Sequence, residues 1–145
     1  ALVADPSVLA GAAKLADCET IGAPRIGQEA VAYGIEHLDD WVAAQRRTMG
    51  ARVAAFDTAL ACDAASWEIV SSGAYFAYVR HPFVGVPATD VARHLVGHQA
   101  LLVLPGEHFG PGQTEHLRIA FGNVGVSAMP EVARRLAAAS VPEQR

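Results

Sequence analysis

An arginine, Arg118, lies within the apolar, strand-like run of residues 117–121, where a permanently charged side chain is unexpected. Its guanidinium stays charged at any working pH and offers a planar fork that donates two parallel hydrogen bonds to a carboxylate. Because burying an unpaired charge is unfavourable, an anionic ligand or an internal acid is expected beside it. The alternative is a solvated, outward residue of an edge strand, alternating with inward Leu117 and Ile119.

A glycine-rich loop precedes this run and contains one aromatic residue, Phe109, among Gly106, Gly110 and Gly112. Glycines at such spacing indicate backbone that approaches a neighbour closely or takes positive φ. The loop therefore either borders a binding site or is an ordinary turn between strands, with Phe109 in the core.

The sequence contains weaker signals for other chemistry. His94 and His98 have the spacing of two metal ligands on one helical face. The zinc-protease pattern also needs a glutamate after the first histidine, and Leu95 stands there. No G-x-S-x-G, Walker-type or C-x-x-C motif occurs. Neither a metal site nor a serine or cysteine nucleophile is therefore predicted.

Composition favours a compact globular domain without polyanionic partners. The chain has 145 residues, of which 52% are hydrophobic, and 11 basic residues stand against 15 acidic ones. No basic block marks a nucleic-acid or anionic-membrane surface, so neither partner is expected. Apolar runs such as residues 100–104 are far shorter than the ~18 residues that a membrane-spanning helix needs.

The cysteines and the first residues bear on the cellular setting. Cys18 and Cys62 show no metal-type spacing, and no basic segment followed by an apolar one opens the chain, which favours a reducing, cytoplasmic setting. The first residue is Ala1 rather than methionine. We therefore expect the chain to be cut from a longer protein.

The first half of the sequence predicts helices. After an apolar strand end, Asp5 is placed to cap a helix that begins at Pro6. A loop containing glycine and proline follows, and from residue 28 to 65 apolar residues recur at steps of three and four. This period predicts one long helix, with a kink near Gly50.

In the second half the period changes to that of strands. The stretch WEIVSSGAYFAYVR predicts two paired strands separated by residues 71–73. A helix capped by Thr89, a buried strand in ALLVLPG, a strand in HLRIAFG and a last helix opened by Ser127, with Pro130 in its first turn, follow. The predicted fold class is α+β: a small mixed or antiparallel sheet covered by helices and joined to a long helix.

Three motifs in this order carry a resemblance to a known family. They are G-x-[YF]-F at residues 73–76, V-x-[VL]-x-P-G-x-x-F-G, which is matched by residues 103–106 with 109–110, and L-R-[IL]-x-[FY] at residues 117–121. The chain resembles the C-terminal region of fold-type-I pyridoxal-phosphate aminotransferases of the aspartate aminotransferase superfamily. This implies a remnant of the large cofactor domain at 1–27, an interdomain helix at 28–65 and a small C-terminal domain at 66–145.

The resemblance also implies roles for particular residues. Arg118 would bind the α-carboxylate of amino-acid and 2-oxo-acid substrates, and Phe109 would border the substrate pocket. Tyr75 would be either a packed strand aromatic or a substrate contact. In a homodimer, Arg25 or Gly22 would reach the partner subunit's cofactor phosphate.

The chain departs from the family pattern at the cofactor. Pyridoxal 5'-phosphate needs a lysine to form its imine, but the S-x-x-K and G-x-R-x-G segments are absent and the sole lysine, Lys14, lies in the first predicted helix. We therefore expect a missing N-terminal half to hold most of the cofactor and the isolated chain to be unable to transaminate. The alternative is a stand-alone, non-catalytic α+β module that binds amino or oxo acids or mediates assembly.

An ungapped alignment with the family bears on the substrate side chain. Members specific for aspartate often present an arginine where this chain has Asp17. A dicarboxylate would then meet a like charge, so the resemblance favours neutral or aromatic amino donors.

Overall fold

The computed structural model of the chain describes residues 3–19 and 22–140. The chain divides into two units, Ala1–Ala44 and Gln45–Arg145. The described part contains five α-helices and four strands: α1 (Pro6–Glu19), α2 (Arg25–His37), α3 (Asp39–Asp63), β1 (Glu68–Gly73), β2 (Phe76–Arg80), α4 (Ala88–Gln99), β3 (Leu104–Pro105), β4 (His116–Ala120) and α5 (Met129–Ala137). Helix α3 begins in the first unit and continues into the second.

Helix α1 begins as the sequence predicts. The Asp5 carboxylate accepts hydrogen bonds from the Ser7 backbone N–H at 2.9 Å and from the Ser7 hydroxyl at 2.6 Å, which satisfies a donor of the first turn. These bonds hold the pKa of Asp5 below its usual value. The strand end predicted before Asp5 falls partly on residues 1 and 2, outside the described residues, and residues 3–5 form no strand.

The long helix predicted from the apolar period is two helices. Leu38 lies between α2 and α3 with φ −110° and ψ 19°, and its carbonyl accepts the first backbone hydrogen bond of α3, from Val42, at 2.9 Å. Asp39 and Asp40 occupy the first turn of α3, where acidic side chains complement the helix dipole. Gly50, where a kink was predicted, lies inside α3. The proposed division at residues 27 and 65 stays a prediction.

The four strands form one antiparallel sheet in the order β1-β2-β4-β3. The predicted turn at residues 71–73 is wrong: Ser71 and Ser72 pair with Tyr78 and Ala77 inside the sheet. The chain instead turns just after β1, where Ala74 takes φ 51°. The antiparallel form of the α+β prediction is confirmed.

Strand β3 is shorter than predicted. It contains only Leu104 and Pro105, which pair with Arg118 and Leu117 of β4. Proline has no backbone N–H to continue the hydrogen-bond ladder of the sheet. A 3-10 turn, Gly106–Phe109, follows directly. Before the strand, Leu102 is 82% exposed, so the run ALLVL is not one buried strand.

One face of the sheet packs on helices and forms the core of the second unit. Alternate residues of β2 and β4, among them Val79 and Leu117, are fully buried. They join one cluster with Phe121, which follows β4, and with residues of α3, α4 and α5, including Phe56, Val91, Leu95, Met129 and Leu136. The opposite face of the same strands carries half-buried Phe76, Tyr78 and Arg118. The sheet is thus covered by helices on one side, as predicted.

The starts of the last two helices differ slightly from prediction. Helix α4 begins at Ala88 after Pro87 and has no side-chain cap from Thr89. Instead, the Thr89 backbone N–H donates to the Glu107 carboxylate at 3.4 Å. Helix α5 begins at Met129 after a 3-10 turn at Val126–Ala128, and its first turn contains a proline, as predicted.

None of the helices in residues 3–19 and 22–140 combines the length and the apolar character that crossing a membrane requires.

Candidate functional site

Arg118 lies on an inner strand of the sheet. Its neighbours across the ladder are Tyr78 of β2 on one side and Leu104 of β3 on the other. The side chain is half-buried and points away from the core, because Leu117 and Ile119 on either side are buried. Since β4 is not an edge strand, the interpretation as a solvated edge-strand arginine does not describe this position.

The guanidinium of Arg118 packs against two aromatic rings. Its Cζ atom lies 4.2 Å from the centroid of the Phe76 ring and 4.4 Å from that of the Phe109 ring. Ring faces carry partial negative charge and attract cations at these distances. They offer no acceptor in the plane of the guanidinium, so its N–H donors stay available to other groups.

Arg118 has no ion pair or hydrogen bond to its guanidinium within the described residues, whereas neighbouring arginines do. On the same sheet face, Arg80 binds Glu68 at 2.7 Å and lies 3.9 Å from Glu115. In α3, Arg52 donates to the carbonyl of Gly122. An unpaired guanidinium that is partly withdrawn from water can gain from an external anion more than a paired one can.

The loop after β3 folds tightly because of Gly106. A Cβ atom at this position would lie 2.7 Å from the Tyr78 hydroxyl and 2.8 Å from the carbonyl oxygen of His116. Only glycine permits this close approach without movement of its neighbours. Gly112 takes φ 73°, so the prediction of close approach and positive φ in this loop is confirmed. The 3-10 turn consequently ends with Phe109 beside Arg118.

Tyr78 adds a neutral hydrogen-bonding group next to Arg118. Its hydroxyl donates to Gln113 at 2.9 Å, and its ring stacks on His116 with centroids 5.1 Å apart. Burial, and to a lesser degree the charge of Glu107, raises the pKa of Tyr78. The phenol therefore stays protonated at neutral pH.

The structure brings some of the predicted site residues together. Arg118 and Phe109 are in contact. Phe109 is 46% exposed, which rules out the alternative that it fills the core. Tyr75 follows the β1-β2 turn residue, is 52% exposed, and its ring lies 4.5 Å from that of Phe76. Phe76, whose ring also lies against Arg118, was not among the predicted site residues.

The other predicted site residues belong to the first unit. Arg25 opens α2 and pairs with Glu29 at 3.4 Å, with both side chains mostly exposed. Gly22 has open space around its Cα, since nothing lies within 4 Å of a Cβ placed there. Their predicted reach toward a partner subunit's cofactor phosphate stays a prediction.

The residues around Arg118 do not by themselves fit pyridoxal phosphate. That cofactor requires an amine for its imine, and the residues in contact here, Arg118, Phe76 and Phe109, do not supply one. The only lysine, Lys14, is an exposed residue of α1.

A metal centre finds no support in the described ranges. No group of three or more histidine, cysteine, aspartate or glutamate side chains there could hold an ion. The rings of His94 and His98 lie against each other with centroids 4.5 Å apart. Burial, with a smaller effect of His98, lowers the pKa of His94.

Comparison with solved structures identifies the fold. No protein-family model and no curated protein matches the chain. The alpha-aminoadipate aminotransferase LysN of Thermus thermophilus, solved with N-(5'-phosphopyridoxyl)-L-leucine, superposes with a TM-score of 0.78 at 20% identity over 93% of this chain. An aminotransferase from Staphylococcus aureus gives 0.66 at 26% identity over 76% of the chain. A Methanococcus jannaschii protein whose active site is similar to those of kynurenine aminotransferases gives 0.69 at 21% identity over 85%.

The fold is therefore that of an aminotransferase small domain, and the resemblance inferred from the three motifs is confirmed at this level. The chain spans only 36%, 28% and 32% of the lengths of these three proteins.

Proposed function

We propose that this chain is part of a pyridoxal-phosphate-dependent aminotransferase, and that Arg118 binds the α-carboxylate of its amino-acid and 2-oxo-acid substrates. One observation carries the proposal: a half-buried guanidinium on an inner strand packs against two rings and has no acid partner within the described residues. A structural arginine at such a position is normally paired. A carboxylate ligand fits the remaining donors in charge and in geometry.

The chemistry proposed for this chain is substrate binding and orientation. Two parallel hydrogen bonds from Arg118 would fix both the position and the plane of the substrate carboxylate, which leaves the amino or oxo carbon at a defined distance from the sheet. Tyr78, kept neutral, adds no competing charge beside the arginine. Pyridoxal phosphate, held by residues outside this set, would supply the amino-group chemistry.

The remaining expectations from the resemblance belong to the same proposal. Tyr75 would contact the substrate from the β1-β2 turn, and Arg25 or Gly22 would approach the cofactor phosphate of the second subunit in a homodimer. The position of Asp17 favours neutral or aromatic amino donors over dicarboxylates. Each of these is separate from the role of Arg118 and can fail without it.

The role of Arg118 can be tested with the chain itself and pyruvate, the simplest 2-oxo acid with an apolar side chain. A charge-assisted hydrogen bond contributes about 1.5–3 kcal/mol, which corresponds to a Kd on the order of 10–100 mM. Ligand-observed NMR of the pyruvate methyl group measures binding in this range. Arg118→Gln should weaken binding about tenfold or more, and Arg118→Lys should weaken it less because it keeps the charge but loses the fork.

Arg93 provides a matched control, because it is a mostly exposed arginine that pairs with Asp90 at 3.0 Å on α4. Arg93→Gln should leave pyruvate binding unchanged. If Arg118→Gln bound pyruvate as the wild-type chain does, Arg118 would not be the carboxylate site. The alternative function, a module that mediates assembly, would then be favoured.

A further inference from the structure

The aromatic contacts of Arg118 come from two separate elements of the fold. Phe76 is the first residue of β2 and pairs with Ala120 of β4, so its ring is a diagonal neighbour of Arg118 on the same sheet face. Phe109 is the last residue of the 3-10 turn. The Arg118 guanidinium is therefore held by two rings that come from different parts of the sequence, one from a strand and one from a loop.

We infer that Phe76 and Phe109 are positioning residues that hold the Arg118 guanidinium in a binding-competent orientation before a carboxylate arrives. This inference rests on the proposed function of Arg118. A long arginine side chain loses rotamer freedom when it binds a ligand. Rings that restrict it beforehand reduce this loss, so binding becomes tighter without any new contact to the ligand.

The rings do this without competing for the hydrogen bonds that a substrate needs. An acid beside Arg118 would also fix the side chain, but it would occupy the guanidinium edge that a substrate carboxylate requires. Two acids near this sheet face, Glu68 and Glu115, lie beside Arg80 and not beside Arg118. Aromatic rings interact with the cation through their faces and leave its N–H donors free.

The exposure of Phe109 also fits a positioning role better than a packing role. Its ring is 46% exposed, although a phenylalanine that served only stability would gain more from full burial. The turn that presents it depends on the close approach of Gly106 to the Tyr78 hydroxyl. The sequence therefore maintains a tight loop whose last residue is an incompletely buried ring over a cation.

The test replaces each phenylalanine by leucine, which is apolar but has no ring, and compares the result at position 109 with a tyrosine, which keeps a ring. In the full chain, Phe109→Leu and Phe76→Leu should each weaken pyruvate binding about three- to tenfold, as expected when the cost of ordering the arginine side chain falls on the binding step instead of on folding. Phe109→Tyr keeps the ring and should bind within about twofold of the wild-type chain. The Nε–Hε signal of Arg118 in the 15N spectrum should lose part of its ring-current shift in each leucine variant, because one ring remains, and should keep it in the tyrosine variant.

Leu102→Ala is the control for general effects near the loop, because Leu102 is 82% exposed and should change neither readout. If Phe76→Leu fails to fold, the exposed Phe109 alone decides. Unchanged pyruvate affinity in Phe109→Leu, together with lost affinity in Arg118→Gln, would overturn the positioning role and leave the proposed function standing. Unchanged affinity in Arg118→Gln would overturn the proposed function itself.

Discussion

Arg80 and Arg118 project from the same face of the sheet, yet only Arg80 has carboxylate partners within the described residues. Arg118 has two phenylalanine rings instead. The two arginines thus differ in their availability to an added anion. The charge of Arg80 is already neutralised by carboxylates, whereas the guanidinium N–H donors of Arg118 are available. This difference separates a surface ion pair at Arg80 from the proposed binding site at Arg118 and leads to the first prediction.

Arg80→Gln should leave pyruvate affinity within about twofold of the wild-type value, because a paired arginine offers little to a second carboxylate. The free energy of unfolding should fall by less than about 1 kcal/mol, as is usual for exposed ion pairs. Both values follow from one set of samples, by ligand-observed NMR and by urea denaturation. A large loss of pyruvate binding in this variant would place the anion site at Arg80.

Gly106→Ala should destabilise the fold and displace Phe109. The added methyl group would meet the Tyr78 hydroxyl and the His116 carbonyl at less than 3 Å, and overpacking of this kind costs about 1–3 kcal/mol. Urea denaturation measures the loss, and the Arg118 Nε–Hε signal reports the displaced ring.

The matched control for this loop variant is Gly97→Ala in α4, where nothing lies within 4 Å of the new Cβ. It should be neutral or stabilise the chain by up to about 1 kcal/mol, since alanine is the better helix former. Equal effects of the two substitutions would show that the Gly106 position is not tightly packed.

His81 should make stability depend on pH. Its Nε2–H donates to the Thr114 carbonyl at 3.2 Å, and its Nδ1 accepts from the Phe83 N–H at 3.3 Å, which fixes a neutral ring. Burial lowers the pKa of His81 below its usual 6.5, although the Thr114 carbonyl and Glu115 oppose this shift.

Because the unfolded chain takes up the His81 proton at a higher pH than the folded chain does, unfolding is favoured as pH falls below about 6.5. Urea denaturation at pH 7.5 and at pH 5.5 should therefore show lower stability at pH 5.5. The difference should be smaller in His81→Asn than in the wild-type chain, while His94, whose pKa is also lowered, contributes equally to both. An equal pH dependence in the two proteins would contradict a neutral His81.

Glu131 should titrate far below an ordinary glutamate. Hydrogen bonds from Arg134 and Arg135 lower its pKa to about 2. A folded pKa lowered in this way contributes stability that is complete above the unfolded value of 4.5 and is lost as pH falls toward 2. The carboxyl 13C shift of Glu131 measures this directly, and a midpoint near 4.5 would show that α5 lacks these bonds in solution.

Local sequence signals predicted much of the fold. The Asp5 cap, helix α4 and strand β4 each depend on residues that are close in sequence, and each is present. The break at Leu38 was missed because the apolar period runs through it without interruption. Ser71 and Ser72 look like turn residues, but pairing with β2 keeps them in a strand.

Local sequence signals also predicted part of the candidate site. Arg118 and Phe109 could be selected from a motif, and the alternation along β4 indicated which neighbours are buried. Phe76 was missed because its contact with Arg118 depends on the register between β2 and β4, which no local pattern records. The pairing of Arg80 with nearby acids likewise depends on the alignment of β1, β2 and the residue before β4.

The Arg118 side chain itself gives the most direct test of the account. In a chain labelled with 15N arginine, addition of pyruvate should shift the Nε–Hε signal of Arg118 along a saturable curve, while the signals of Arg80 and Arg93 stay in place. A shift that is linear in pyruvate for all three arginines, or no shift at Arg118, would contradict carboxylate binding at this residue.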